Sequence, residues 1–66
     1  MIFEREGIRC AIVGTTLSYR GSRGDLFTIG EEFSITDETG PHAFQVLSIK
    51  KSPYTDGTTN VELKAL

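Results

Sequence analysis

The sequence predicts an all-β fold, a small barrel or sandwich of about five short antiparallel strands of the SH3-like or OB-like kind. Short runs of alternating apolar and polar residues are separated by glycine-containing turns at near-regular spacing. No window places apolar residues at helical spacing. The 66 residues are enough for a single small β domain over residues 1–66 and too few for two domains.

The first predicted strand runs from Gly7 to Val13, because apolar side chains occupy every second position there. Thr15 to Arg20 continues in residues that favour extended structure. We therefore expect one long strand, with Gly14 as a bulge inside it.

The middle of the chain alternates between loops and short strands. Gly21 to Asp25 combines glycines with short polar residues and predicts a loop. Leu26 to Ile29 predicts a short strand, and Glu31 to Thr36 predicts the next one. Asp37 to Pro41 then predicts a turn, because proline cannot donate a ladder hydrogen bond.

The last third predicts a hairpin. His42 to Lys51 is a strand whose alternation fails between Val46 and Leu47, so either both faces are buried or a bulge shifts the phase. Ser52 to Gly57 predicts a loop that ends in an Asp-Gly pair, and Val61 to Ala65 alternates as the final strand.

So short a chain buries a thin core and needs additional stabilisation. The single cysteine, Cys10, excludes a disulfide within the chain, and one cysteine with one histidine is too few for a structural zinc site. We expect the extra burial to come from association into a homo-oligomer or from docking on a protein partner.

Composition also bears on partners and location. Seven basic and nine acidic side chains are spread along the chain, giving a net charge of −2 that disfavours nucleic acid as a partner. No apolar run reaches membrane-spanning length, and the first residues do not resemble a secretion signal. The expected location is cytoplasmic, and no membrane partner is expected.

The residue types needed for catalysis are scarce. His42 is the only side chain that ordinarily titrates near neutral pH, and without partners it is interpreted as a solvated turn residue. Cys10 lies inside an apolar alternation, which is typical of core packing. The chain is therefore predicted not to be an enzyme, with no catalytic residue and no cofactor.

Candidate binding residues lie in the polar loops and turns. Two arginines on a glycine-lined loop could clamp phosphate or carboxylate groups. Neighbouring glutamates could bind a basic partner or a cation. The predicted binding residues are Arg20, Ser22, Arg23, Asp25, Glu31, Glu32 and Tyr54.

One family resemblance rests on hairpin segments, which are Gly24 to Glu32, alternating Phe33 and Ile35, Ile49, Asp56-Gly57, and Val61 to Leu63. Together they resemble the C-terminal β half of tailed-phage head–tail joining proteins. The likeness covers about half the chain, and the helical N-terminal part usual in that family has no counterpart in this sequence. The resemblance implies a virion component that acts as a ring of identical subunits between portal and tail, without a cofactor.

Two functional hypotheses follow. The first is a non-catalytic structural or protein-interaction module that associates with itself or with another protein. The alternative is a small nucleic-acid-binding barrel, in which Arg20, Arg23, Lys50 and Lys51 contact phosphates. In the alternative, Tyr19, Phe27 or Tyr54 would stack on bases.

Overall fold

A computed structural model describes residues 1–21, 25–51 and 57–66. It is all-β, and six antiparallel strands form a nearly closed small barrel, which confirms the predicted fold class with one strand more than expected. The sheet order is β1-β2-β3-β6-β5-β4, so two three-stranded meanders meet where β3 pairs with β6. The strands are β1 (Ile2–Arg5), β2 (Ile8–Val13), β3 (Thr16–Arg20), β4 (Glu32–Asp37), β5 (Gly40–Lys51) and β6 (Thr58–Ala65).

The first hairpin adds a strand that the sequence pattern did not predict. Arg5 pairs with Ile8 across a two-residue turn, in which Glu6 has φ 51° and Gly7 has φ 78°. Positive φ at both central residues is the type I′ arrangement, whose twist matches that of paired strands. β1 therefore depends on the turn and on pairing with β2, because apolar and polar residues do not alternate in the sequence of Ile2–Arg5.

The expected long strand with a bulge at Gly14 is wrong. Gly14 lies in a tight turn with φ 65°, and Val13 pairs with Thr16, so the chain folds back into a second hairpin. A glycine with positive φ at the first turn position supports such a reversal, which a residue with a side chain would resist.

The predicted strand from Leu26 to Ile29 is also wrong. Leu26 and Phe27 are adjacent in sequence, yet both are almost completely buried. An extended strand points successive side chains to opposite faces, so an irregular segment is needed to bury both in one core. The Phe27 ring lies 6.0 Å from the Tyr19 ring, measured between centroids, and 5.4 Å from that of Phe33.

The broken alternation in β5 comes from a bulge. The pairing with β6 shifts register between Val46 and Ser48, and Leu47 is left half exposed at the shift. Val46 and Ile49 can then both point inward although they lie three residues apart, which an unbroken strand would not allow. Of the two predicted alternatives, the structure has the bulge. The predicted hairpin of β5 and β6 is present, while Ser52 to Asp56 of its loop lies outside the described residues.

Side chains, rather than the backbone, bring the two edge strands together at what we call the seam. The Arg5 guanidinium donates to Glu31 Oε2 at 2.7 Å, and the Phe3 and Phe33 rings lie 6.3 Å apart. Among the residues with described positions, no ladder joins β1 to β4. Arg5 contacts Glu31, which directly precedes β4, and Phe3 contacts Phe33 on β4. Residue numbers thus decrease along β1 where they increase towards β4, so the two strands run antiparallel across the seam.

The core lies inside the barrel and draws on four of the strands, β2, β3, β5 and β6, and on the irregular segment before β4. Its buried apolar members are Cys10, Ile12, Leu17, Tyr19, Leu26, Phe27, Phe44, Val46, Val61 and Leu63. In the part of the chain that the structure describes, no helix is long and apolar enough to span a membrane.

Candidate functional site

Two of the predicted binding residues are exposed on either side of the loop that follows β3. Arg20 ends β3 and is exposed, and Asp25 is exposed on the far side of the loop. Ser22, Arg23 and Tyr54 lie outside the described residues.

Glu31 has a structural role at the seam. Its Oε2 accepts the hydrogen bond from Arg5, and its Oε1 accepts one from the backbone N–H of Thr28 at 2.8 Å. Burial acts to raise the pKa of Glu31, but these hydrogen bonds and the charge of Arg5 outweigh it and lower the pKa. Glu31 is thus committed within the chain, whereas its neighbour Glu32 is exposed at the start of β4.

A different set of residues forms a groove on the outside of the barrel. We call it the outer groove, and its volume is about 300 Å³. Its lining includes Ile2, Arg9, Ala11, Ser18, Arg20 and Thr58. Ile2 pairs with Ala11, and Ala11 pairs with Ser18, so these three side chains form one row across β1, β2 and β3.

Of the predicted binding residues that the structure describes, Arg20 alone lines the outer groove, and the sequence analysis missed Arg9. The alternation of β2 does indicate that Arg9 points away from the core, because Ile8, Cys10 and Ile12 point inward. Its position next to Arg20 depends on the register of β2 and β3. That register follows from the hairpin turn at Gly14, which was interpreted as a bulge.

Two of the basic residues proposed to bind nucleic acid, Arg20 and Lys50, lie on the same face of the sheet. Lys50 pairs with Asn60, and Asn60 pairs with Ser18, so Lys50 shares the outer face with Arg20. Lys51 is next in sequence, and successive residues of a strand point to opposite faces, so Lys51 does not share this face.

Two of the aromatic residues proposed to stack on bases, Tyr19 and Phe27, do not fit that role. Tyr19 and Phe27 are 3% and 2% exposed. Their rings pack in the core and cannot stack on bases, so the proposed stacking role of these two residues is wrong.

His42 belongs to a small hydrogen-bonded cluster at the turn between β4 and β5. Asp37 Oδ1 accepts from the Thr39 hydroxyl at 2.7 Å and from the Thr39 N–H at 2.8 Å. His42 Nε2 lies 3.0 Å from Asp37 Oδ1 and 2.8 Å from Thr39 Oγ1. The bonds from Thr39 are the main cause that lowers the pKa of Asp37 to about 2, and His42 contributes less.

The cluster contains a hydroxyl, an imidazole and a carboxylate, but it is not arranged as a catalytic triad. A triad needs one imidazole nitrogen to accept the hydroxyl proton while the other nitrogen binds the carboxylate. Here the Thr39 hydroxyl donates to Asp37, and the same Nε2 faces both partners. The arrangement fixes the turn, and the Thr39 hydroxyl proton points at the Asp37 carboxylate instead of at the imidazole.

Replacing Thr39 with valine should raise the pKa of Asp37 towards its ordinary value of 3.8. A carboxyl whose pKa is lowered on folding adds stability above its unfolded pKa, and this contribution is lost as the pH falls through about 2. The variant should lose that contribution at a higher pH. A carboxyl-detected NMR titration measures the pKa of Asp37. Thr36→Val, which replaces another threonine next to Asp37 on β4, is the control. An unchanged Asp37 pKa in Thr39→Val would contradict the assignment.

Cys10 is completely buried, as its place in the alternation predicts, and burial raises the pKa of its thiol. Within the described ranges, no three histidine, cysteine or acidic side chains are grouped so as to hold a metal ion. Comparison with known proteins gives no relative, since no protein-family model matches the chain and no similar curated protein or solved structure was found.

Proposed function

We propose that the chain is a non-catalytic interaction module that binds protein through the open edge of β4, and that its first partner is another copy of itself. The observation that carries the proposal is the unpaired outer edge of this strand. In the described part of the chain, β4 pairs with β5 on one side only. An unpaired edge offers a row of backbone donors and acceptors to another strand.

The direction of the β4 backbone groups supports this use. The Val46 N–H donates to the Glu31 carbonyl oxygen at 2.9 Å, immediately before β4 begins. Antiparallel ladder bonds recur at every second residue. Counted from Glu31, this alternation points the backbone groups of Phe33 at β5 and those of Ser34 and Thr36 at the open edge.

The edge also lacks three common forms of protection against pairing, which are proline, lysine and a bulge. β4 contains no proline or lysine, and its register with β5 is continuous from Glu32 to Asp37. Proline, lysine and bulges are the features that natural proteins use to block edge strands. Beyond the seam contact of Phe33, Ser34 and Thr36 of β4 are exposed.

Charge favours a head-to-tail contact over a symmetric one. Glu32 and Asp37 lie at the two ends of β4. Two copies of β4 paired antiparallel in full register would bring each Glu32 close to the partner's Asp37, and facing like charges destabilise a sheet. A contact between β4 and a different surface avoids this, and repeated head-to-tail contacts close into a ring when the rotation allows.

A ring is also what the resemblance to tailed-phage head–tail joining proteins implies. We therefore propose that the chain is a small virion component that assembles between portal and tail. Electron microscopy of the assembled protein tests this, because closed rings of uniform subunit number support it. Open filaments or symmetric dimers would contradict it.

Assembly through β4 is tested by sedimentation of the purified protein over a hundredfold range of concentration. The wild type should shift to larger species as concentration rises. Ser34→Pro removes one edge donor and should hold the protein in its monomeric form, while Ser34→Thr keeps the amide and should assemble normally. Circular dichroism checks that both variants fold. A monomeric wild type at every concentration would refute self-association.

If Ser34→Pro fails to fold, amide hydrogen exchange of the wild type provides a second test. The amides of Ser34 and Thr36 should become protected on assembly, while those of ladder-bonded Phe33 should be protected already. Protection that is unchanged at Ser34 and Thr36 in the assembled protein would place the contact elsewhere.

Nucleic-acid binding is the second candidate, because Arg20 and Lys50 lie on one outer face together with Arg9. The buried rings of Tyr19 and Phe27 make it the weaker candidate. Binding of a fluorescent single-stranded oligonucleotide with a steep salt dependence would support it, and no binding at low salt would end it.

A further inference from the structure

The outer groove differs in chemistry along its length. Arg9 and Arg20 lie at one end with the Thr58 hydroxyl, and Ile2 and Ala11 lie at the other. Continuing the register of β2 and β3 by one residue past the Cys10–Tyr19 pair brings Arg9 opposite Arg20. The groove thus has a cationic end and an apolar end on one continuous surface.

The pairing of two arginines lacks an obvious structural benefit. Like charges at facing positions on neighbouring strands destabilise a sheet. Within the described ranges, the Arg9 guanidinium makes no ion pair or hydrogen bond. Glu4 pairs with Arg9 from β1 but does not line the groove, and Arg20 has an interaction of its own within the chain. An anion bound between Arg9 and Arg20 would contact both guanidinium groups and reduce the repulsion between them.

Guanidinium groups are suited to such an anion. Each presents a planar set of N–H donors that matches the oxygens of a phosphate or carboxylate in a two-bond contact. The Ser18 and Thr58 hydroxyls add donors of the kind that commonly complete an anion site.

The apolar end limits the kind of ligand. Ile2 is 61% exposed, and it pairs with the small residue Ala11 on the groove floor. An inorganic anion would leave this surface in contact with water, whereas a small apolar group would cover it. The volume of about 300 Å³ lies at the lower end of the range for small-molecule sites.

We propose that the outer groove binds a small ligand in which a phosphate or carboxylate is attached to an apolar group. Its oxyanion lies between Arg9 and Arg20, and its apolar part covers Ile2 and Ala11. The site is separate from the β4 edge, so it stands or falls independently of the proposed assembly.

The test is an NMR titration of the ¹⁵N-labelled full chain with phenyl phosphate and, separately, with benzoate. Either ligand should shift the amides of Arg9, Ala11 and Ser18, and the tighter one identifies the preferred acid group. Inorganic phosphate and phenol each carry half of the proposed chemistry and should bind at least about tenfold more weakly. If neither full ligand shifts these amides at millimolar concentration, the proposal is wrong.

Variants separate the two ends of the groove. Arg9→Gln should weaken phenyl phosphate about tenfold, because it removes a charge-assisted contact. Ala11→Leu fills the apolar end and should weaken phenyl phosphate to the level of inorganic phosphate. Lys64→Gln removes a charge at the other end of the outer face, opposite Gln45, and should bind as the wild type does. Equal losses in Arg9→Gln and Lys64→Gln would indicate a nonspecific charge effect and overturn the proposal.

Discussion

Replacing Phe27 with alanine should leave most of the protein unfolded at room temperature. Phe27 is 2% exposed, and its ring contacts Tyr19 and Phe33. The Arg5 guanidinium also lies over this ring, 4.4 Å from its centre. Removing a buried phenylalanine side chain costs about 3–5 kcal/mol. A domain of this size has a net stability of roughly 3–5 kcal/mol, so the loss is comparable to the whole.

Urea unfolding followed by circular dichroism measures the effect. Ile29→Ala is the matched control, because Ile29 lies two residues further along the same segment and is 64% exposed. The control should differ from the wild type by less than about 0.5 kcal/mol. Equal stabilities for the two variants would show that Phe27 does not anchor the segment before β4.

Leu17→Ala should have the second largest effect. Leu17 on β3 pairs with Val61 on β6, and both are completely buried where the two meanders meet. A buried leucine truncated to alanine costs about 2–5 kcal/mol, depending on how far the surroundings close the cavity. We expect a clear fall in the urea midpoint. Val13→Ala is the control, because Val13 on the neighbouring strand is 80% exposed.

A double variant shows whether the loss arises at the junction between the meanders. Leu17→Ala and Val61→Ala remove facing side chains, so their combined cost should differ from the sum of the single costs by about 0.5 kcal/mol or more. Strict additivity would mean that the two side chains do not depend on each other.

The elements predicted correctly from the sequence are those in which local pattern and tertiary structure agree. β2 and β6 alternate cleanly, and each buries the face that the alternation indicates. The failed alternation in β5 correctly indicated a bulge as one of two outcomes. In each case the period of two in a strand is sufficient, because one face meets the core.

The incorrect predictions concern elements in which the local sequence pattern and the folded structure disagree. β1 follows from a turn with positive φ at Glu6 and Gly7, and because glutamate rarely adopts positive φ, the pair does not have the usual sequence of a two-residue hairpin turn. Leu26 and Phe27 were placed on a strand because apolar residues favour strands, yet the barrel buries both together. The burial of Leu26 and Phe27 depends on contacts with distant segments, which local propensity does not determine.

The candidate site was predictable only in part, for a related reason. Arg20 was identified from the glycine-rich loop that follows it, and it does line the outer groove. Arg9 joins it through strand register, and register cannot be derived from composition. Glu31 was interpreted as a binding residue, although its oxygens are engaged by Arg5 and Thr28.

The seam affects how easily a partner strand could enter the barrel. Every other strand boundary is a backbone ladder, and opening one would break several cooperative hydrogen bonds at once. Between β1 and β4, the described residues show contacts between side chains, and separation requires that Arg5 release Glu31 and that Phe3 move from Phe33. An incoming strand could therefore be accommodated by side-chain rearrangement alone, while the folded sheet behind it keeps all of its pairings.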